Sequence, residues 1–426
     1  MSSIHVLCAP PNGRNPGMTA VDRAFLPVGR HLGADVTFWR MWDVSEWREL
    51  GGAPLEPGST VVDDFNGIDY RLLRSNLPEF LDADAVVYWG DFLHMQVYLD
   101  MTVDVLDRRI GLAGSDPTVD WVKRCLLGLG EPDEQLDRTV TFGTTLSMNS
   151  AEDYASRYQP ELRDFVRRTR RAWFRDPYSA AVAQLYRDDP EENCKGVDAA
   201  MLLPPTESVT ADESMAVFLG RSSLAPEWVG RFGARLARQL RLSPRWLHWG
   251  DSPAFWPMRD SRRLRLAWPG LELGSSTPGA LDRARARVGV LRGAMGELSS
   301  PAPFEDLLAR IAAAALVVTD TYHLAVLAWR AGTPAVCITD QASPGGWSVN
   351  EGRAGSRRDK RIDLYSQLDV MPLLADSTQA PGAEADRIAR VLREDSEVVR
   401  QGVQRLESGA RRSAASLVDA LSTLLA

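Results

Sequence analysis

Between Leu316 and Thr339 the chain reads LVVTDTYHLAVLAWRAGTPAVCIT, an order of residues that few folds can accommodate. Leu316, Val317 and Val318 suit a strand buried on both faces, Thr319 to Thr321 are polar and able to cap, and Leu324, Leu327 and Ala328 then follow a helical spacing. Gly332 closes that helix and Pro334 forbids its continuation. Strand, tight turn, short helix and strand together make the repeating unit of a parallel α/β sheet. In such a sheet the loop after a strand's carboxyl end lies over the ligand crevice. The first turn of the next helix there offers unpaired N–H groups to an anion. His323 is therefore expected beside an anion site, with Tyr322 in the same turn and Asp320 either orienting the ring or capping the helix. The plainer alternative is an ordinary repeat whose histidine caps or packs.

The same grammar recurs upstream. Ile4 to Ala9 reads as a strand, Met18 to His31 as a helix and Ala34 to Trp39 as a second strand. The loop between the first two holds Arg14, Asn15 and Gly17. Its glycines allow backbone N–H groups to approach a ligand closely, but the Gly-x-Gly-x-x-Gly dinucleotide spacing is absent. Ala83 to Trp89 is another apolar strand, and Asp91 and His94 fall just past its end, on the ligand side; a satisfied structural histidine is the competing reading of His94. Met215 to Leu219 is a strand followed by Arg221, whose planar fork of donors suits a carboxylate or phosphate. Arg245 to Asp251 reads as a strand running into an aromatic loop that carries His248. In the arginine-rich stretch from Arg163 to Arg175, most side chains are expected on a solvated helix face, with Arg175 alone a candidate for the cleft.

At 426 residues the chain exceeds what one hydrophobic core usually supports, and roughly 100–200 residues per domain makes two domains the expectation. The polar, proline-containing stretch PPTESVTADES, between Leu203 and Met215, is where the change should fall. The expected division is residues 1–205, residues 206–382 and a helical segment over 383–426. A net charge of -8 argues against nucleic acid as a partner, since neutralising phosphates needs a basic stripe. Cys8, Cys125, Cys194 and Cys337 lack metal-ligand spacing, so no metal is expected. The start lacks a charged leader, and no apolar run approaches about 20 residues, which leads to the expectation of a cytoplasmic chain without a membrane span.

Thr319-Asp320-Thr321-Tyr322-His323 resembles the Thr-Asp-Ser-Phe-His motif of the polysaccharide pyruvyl transferase family, and Lys360-Arg361-Ile362-Asp363-Leu364 resembles the Ser-Arg-Ile stretch that follows it there. Weaker likenesses lie at Asn12 to Met18, Ala85 to Asp91, Arg171 to Leu185 and Leu406 to Leu421. The resemblance implies an α/β fold of two Rossmann-like domains facing a cleft, in the manner of glycosyltransferase-B enzymes, with a C-terminal helix returning to the first domain. It also implies transfer of a pyruvyl group from phosphoenolpyruvate, with no further cofactor, to two hydroxyls of a sugar, glycan or natural-product acceptor. On that reading His323 serves as acid or base, assisted by Asp320 and Asp91. Arg221 and Arg361, helped by Arg175 or Arg14, hold the anion. Asn15, Gly17, His94, Tyr322 and His248 complete the expected substrate contacts. The departure is Thr321, where some members carry an arginine, and it leaves the donor open. Two rivals remain: a glycosyltransferase-B enzyme using a nucleotide sugar, for which a ribose-holding glutamate at a strand end is not obvious, and a non-catalytic binding protein on the same fold.

Overall fold

The computed structural model describes residues 2–9, 15–42, 60–63, 67–73, 76–90, 92–110, 115–146, 157–189, 192–206, 210–219, 224–247, 249, 268, 271, 304–339 and 359–426. Its strands form two sheets. The first contains β1 (Ser3–Cys8), β2 (Asp35–Arg40), β3 (Thr60–Asp63), β4 (Ile68–Leu72), β5 (Ala85–Trp89), β6 (Thr139–Thr144) and β7 (Arg171–Phe174), in the order β3-β4-β2-β1-β5-β6-β7. Only β3 runs antiparallel, on the outer edge against β4. The second contains β8 (Asp212–Phe218), β9 (Ser243–Trp246), β10 (Ala314–Thr319), β11 (Ala335–Thr339) and β12 (Leu374–Asp376), in the order β12-β11-β10-β8-β9, and all its pairs are parallel.

Parallel strands covered by helices on both faces should read as continuous apolar runs. β5 (AVVYW) and β11 (AVCIT) do, and every residue of both is buried. Alternate residues of the first sheet feed different interiors: Ile4, Val6 and Cys8 join one apolar cluster, while Leu7 joins another on the opposite face. The first cluster continues through Val197, Ala199, Ala200, Met201 and Leu203 into the second lobe. The segment connecting the lobes is thus itself core.

In each sheet the strand order reverses once. The chain starts at β1 and adds β2 and β4 on one side, then returns to add β5, β6 and β7 on the other. In the second sheet it starts at β8, adds β9, and crosses back to β10. The crevices that open at such reversals are where open α/β sheets bind ligands.

Three sequence expectations are adjusted. The helix expected over Met18 to His31 is two, Pro16–Arg23 and Leu26–Leu32, because Pro27 has no N–H to continue the ladder and instead starts a new helix in its first turn. The strand expected over Arg245 to Asp251 lies earlier, at Ser243–Trp246. The C-terminal helical segment is also two helices, Pro381–Glu394 and Ser396–Leu425, with the Asp395 side chain capping the second at Val398. The first of these packs on Pro226–Leu240 in the second lobe. The second packs on three second-lobe helices and reaches back to Leu26–Leu32 of the first lobe. Among the described residues no helix is long and apolar enough to cross a membrane.

Candidate functional site between the lobes

Each lobe presents one helix at its strand-order reversal. After β1, Asn15 is the N-cap of Pro16–Arg23; its side chain accepts from the Gly17 N–H at 2.9 Å, and Pro16 opens the helix. After β10, the nine-residue helix Tyr322–Arg330 starts from an extended Thr321 with no side-chain cap hydrogen bond. Asp320 is not the cap. It is fully buried and accepts from the Thr321 hydroxyl at 3.2 Å, while the Thr319 hydroxyl takes the Thr321 N–H at 3.0 Å.

The leading turns of these two helices meet. A methyl group built on Gly17 would lie 2.6 Å from Cβ, Cγ and Nδ1 of His323, a spacing that side chains do not tolerate. Glycine is thus what lets the first lobe's helix approach the imidazole of the second. The positive ends of both helix dipoles converge on this place.

Around the contact stand groups from both lobes. His323 Nε2 is 3.7 Å from Asp198 Oδ2, a charge-pair distance that is too long for a hydrogen bond. The same oxygen accepts from Arg175 at 3.0 Å, and Asp198 Oδ1 accepts from the Ala200 N–H at 2.9 Å. Arg175 and Asp198 are both almost fully buried. The Arg175 guanidinium also lies 4.8 Å from the centre of the Tyr322 ring, and Lys360 Nζ lies 4.8 Å from that ring and 5.3 Å from Phe92. Tyr322 therefore has one cation from each lobe beside it.

His323, Tyr322, Gly17 and Arg175, all expected at the site from sequence, stand together here. Asp320 lies beneath them, and Asn15 holds the helix cap. Arg361 does not join them. Its guanidinium is clamped on Asp359 and donates to the carbonyls of Asp320 and Ile338. Burial alone would lower the pKa of Arg361, but hydrogen bonds and charge from Asp359 outweigh it and raise it. On Asp359 burial acts upward, and Arg361 outweighs it to hold the carboxyl below the usual carboxylate range. This is an internal brace, not an anion grip. His94 is enclosed in the first lobe's core against Tyr88 and Phe165, with ring centroids at 5.7 and 5.0 Å. Burial takes its pKa down to about 3, against a weaker raising effect from the Leu126 backbone nearby. It is therefore a structural histidine rather than a substrate contact. Arg14, Asp91, Arg221 and His248 lie outside the described residues.

Three residues of the cluster escape a reading of the sequence. Asp198 looks like any cap before a short apolar turn, and it caps Ala199–Leu202. Lys360 precedes the more noticeable Arg361. Phe92 lies two residues past Gly90 and takes a left-handed φ of 78°, which no local pattern foretells.

The fold is glycosyltransferase-B: two Rossmann-like lobes with the closing helix returning to the first. No protein-family profile matches the chain, and no curated protein matches it in sequence. Among solved structures it is similar to UDP-GlcNAc 2-epimerase from Neisseria meningitidis bound to UDP-GlcNAc, with 10% identity over 99% of each chain and a TM-score of 0.53. It also matches an α,α-trehalose-phosphate synthase (UDP-forming) from Burkholderia vietnamiensis, with 13% identity over 99% of this chain and 100% of that one and a TM-score of 0.46. A putative UDP-N-acetylglucosamine 2-epimerase from Listeria monocytogenes matches with 9% identity, over 98% and 96% of the two chains, at a TM-score of 0.48.

The expectation of pyruvyl transfer is corrected on these findings. The Neisseria structure, matched at a TM-score of 0.53, holds UDP-GlcNAc. Of the arginines expected to hold phosphoenolpyruvate, Arg361 is consumed by Asp359 and Arg175 is paired with Asp198.

Proposed function

We propose that the chain is a glycosyltransferase-B enzyme that takes a nucleoside-diphosphate sugar between its lobes and transfers the sugar to an acceptor hydroxyl. The observation that carries this reading is the meeting of two helix leading turns, one per lobe, at Gly17 and His323, with Lys360 beside Tyr322. A diphosphate is the ligand such a place suits. Helix amino ends and cations both favour dispersed negative charge, and the same groups stabilise the charge that builds on a leaving diphosphate. The UDP-GlcNAc bound to the Neisseria protein of this fold supports the ligand class.

In the transfer, the acceptor oxygen bonds to the anomeric carbon, the bond from that carbon to the diphosphate oxygen breaks, and its electron pair leaves with the nucleoside diphosphate. His323 receives the hydroxyl proton, a role suited to imidazole because its unperturbed pKa lies near neutrality.

Thermal unfolding with UDP, GDP, UDP-GlcNAc and phosphoenolpyruvate tests the reading. A ligand at about 100 times its Kd stabilises by roughly 2.7 kcal/mol, a shift of several degrees. A shift with a nucleotide or nucleotide sugar, and none with phosphoenolpyruvate, is expected; no shift with any nucleotide overturns the proposal.

A further inference from the structure

We infer that Asp198 is the positioning residue for His323, so that the proton-handling unit of the cleft is a pair assembled from two lobes. This deepens the nucleotide-sugar reading and rests on it for the reaction served; the pair itself is read from geometry.

Asp198 belongs to the connecting segment that is continuous with the first lobe's core, and it is 1% exposed; His323 opens the second lobe's helix and is 6% exposed. Nothing about the fold of either lobe alone requires a carboxylate to face an imidazole here. Asp198 is held on two sides: the Ala200 N–H fixes Oδ1, and Arg175 fixes Oδ2 on the edge that looks toward His323 Nε2. Arg175 is anchored in turn, its N–H on the Thr144 carbonyl and its own carbonyl accepting from Gln367 of the second lobe. The carboxylate is thus aimed before any ligand arrives.

At 3.7 Å the pair lies just outside hydrogen-bond range, and catalytic hydrogen bonds are often long until substrate binds. A lobe movement of less than about 1 Å makes the bond. The carboxylate then selects the tautomer with hydrogen on Nε2 and stabilises the imidazolium formed when Nδ1 takes a proton, as an orienting carboxylate does in a catalytic triad. Arg175 acts in the opposite sense, drawing charge from the same Oδ2. Among the described residues, Lys360 lies beyond Tyr322, and Asp320 stands two residues before the helix. Separation of the lobes would part the pair and leave the imidazole without its orienting partner.

Titration of the His323 ring by NMR, in the full chain with isotope-labelled histidine and without nucleotide, tests this directly. Five histidines give few signals, and His323→Gln identifies the one concerned. Asp198→Asn is expected to lower the His323 midpoint by about one pH unit or more, because a carboxylate at this range favours the charged ring. Arg175→Met is expected to raise it, because the competing cation is gone. The second variant keeps the test alive should the first not fold, and an Nε2-protonated neutral ring that is lost in Asp198→Asn is the sign of orientation, which charge proximity alone does not give. Midpoints unmoved in the folded variants, or an Nδ1-protonated neutral ring in the unaltered protein, overturn the inference. If nucleotide sugars bind all the same, the ligand reading stands without it; if the midpoints move but no nucleotide binds, the pair serves another substrate.

Discussion

Gly17 shows how one absent atom can set the geometry of a cleft. Its Cα touches the His323 ring so closely that a methyl group would overlap three ring and side-chain atoms. Both residues are held at helix starts, so neither can yield cheaply. Gly17→Ala is expected to lower stability by about 1–3 kcal/mol, as overpacking does, and to weaken nucleotide binding, read by urea unfolding beside a UDP-sugar titration. Unchanged affinity and unchanged midpoint would show that the two helices separate freely. His94 supports a second expectation. Its pKa of about 3 in the fold lies below the unfolded value of roughly 6.5. Between those values the unfolded chain binds a proton that the folded chain refuses, so stability is greater above pH 6.5 and falls as pH drops. His94→Leu is expected to flatten the slope of unfolding free energy between about pH 4 and 6.5, and an unchanged slope refutes the assignment. Residues of this kind are the least legible from sequence. Successive helix residues point in different directions, so of neighbours Lys360 and Arg361 one faces Tyr322 while the other braces Asp359, and a linear motif favoured the wrong one.

At the level of elements the sequence is far more informative. β10, the Tyr322–Arg330 helix and β11 follow the strand, turn, helix and strand read from one stretch. These signals are local: period, cap, breaker. Gly402 is different. Helical propensity makes it a weak point, whereas the structure makes it a contact, since a Cβ there would lie 2.5 Å from Val370 Cγ1 and 3.2 Å from Trp329. The two effects compete. Alanine gains about 1 kcal/mol in propensity, while forcing a methyl group against a buried, short valine side chain costs about 1–3 kcal/mol. Gly402→Ala is therefore expected to lower the Tm slightly, against the helix scale; a raised Tm would mean that the closing helix slides to make room.

For the whole molecule, fold was readable and activity was not. The parallel strand-and-helix units follow from local patterns that any buried parallel sheet must obey, whereas the two facing lobes and the returning helix were what the family resemblance implied. The pyruvyl reading leaned on the Thr319–His323 motif and on arginines to hold the anion, and whether an arginine meets a ligand or a carboxylate of its own chain is set by the folded geometry, for a partner two residues away, as Asp359 is for Arg361, as well as for a distant one. Arg175 and Asp198 are 23 residues apart. His323 and Asp198 come from different lobes, and no window of sequence contains both. The connection between lobes is firm as well as short: Arg330 donates to the Leu203 carbonyl at 2.6 Å, linking the far end of the histidine helix to the connector.

The Ser396–Leu425 helix spans 30 residues, about 45 Å at the usual rise per residue, and touches both lobes along one unbroken rod. A rod of that length resists stretching far better than twisting. Sliding one lobe past the other along that rod would therefore break its seat on Leu26–Leu32 at one side or on the second-lobe helices at the other.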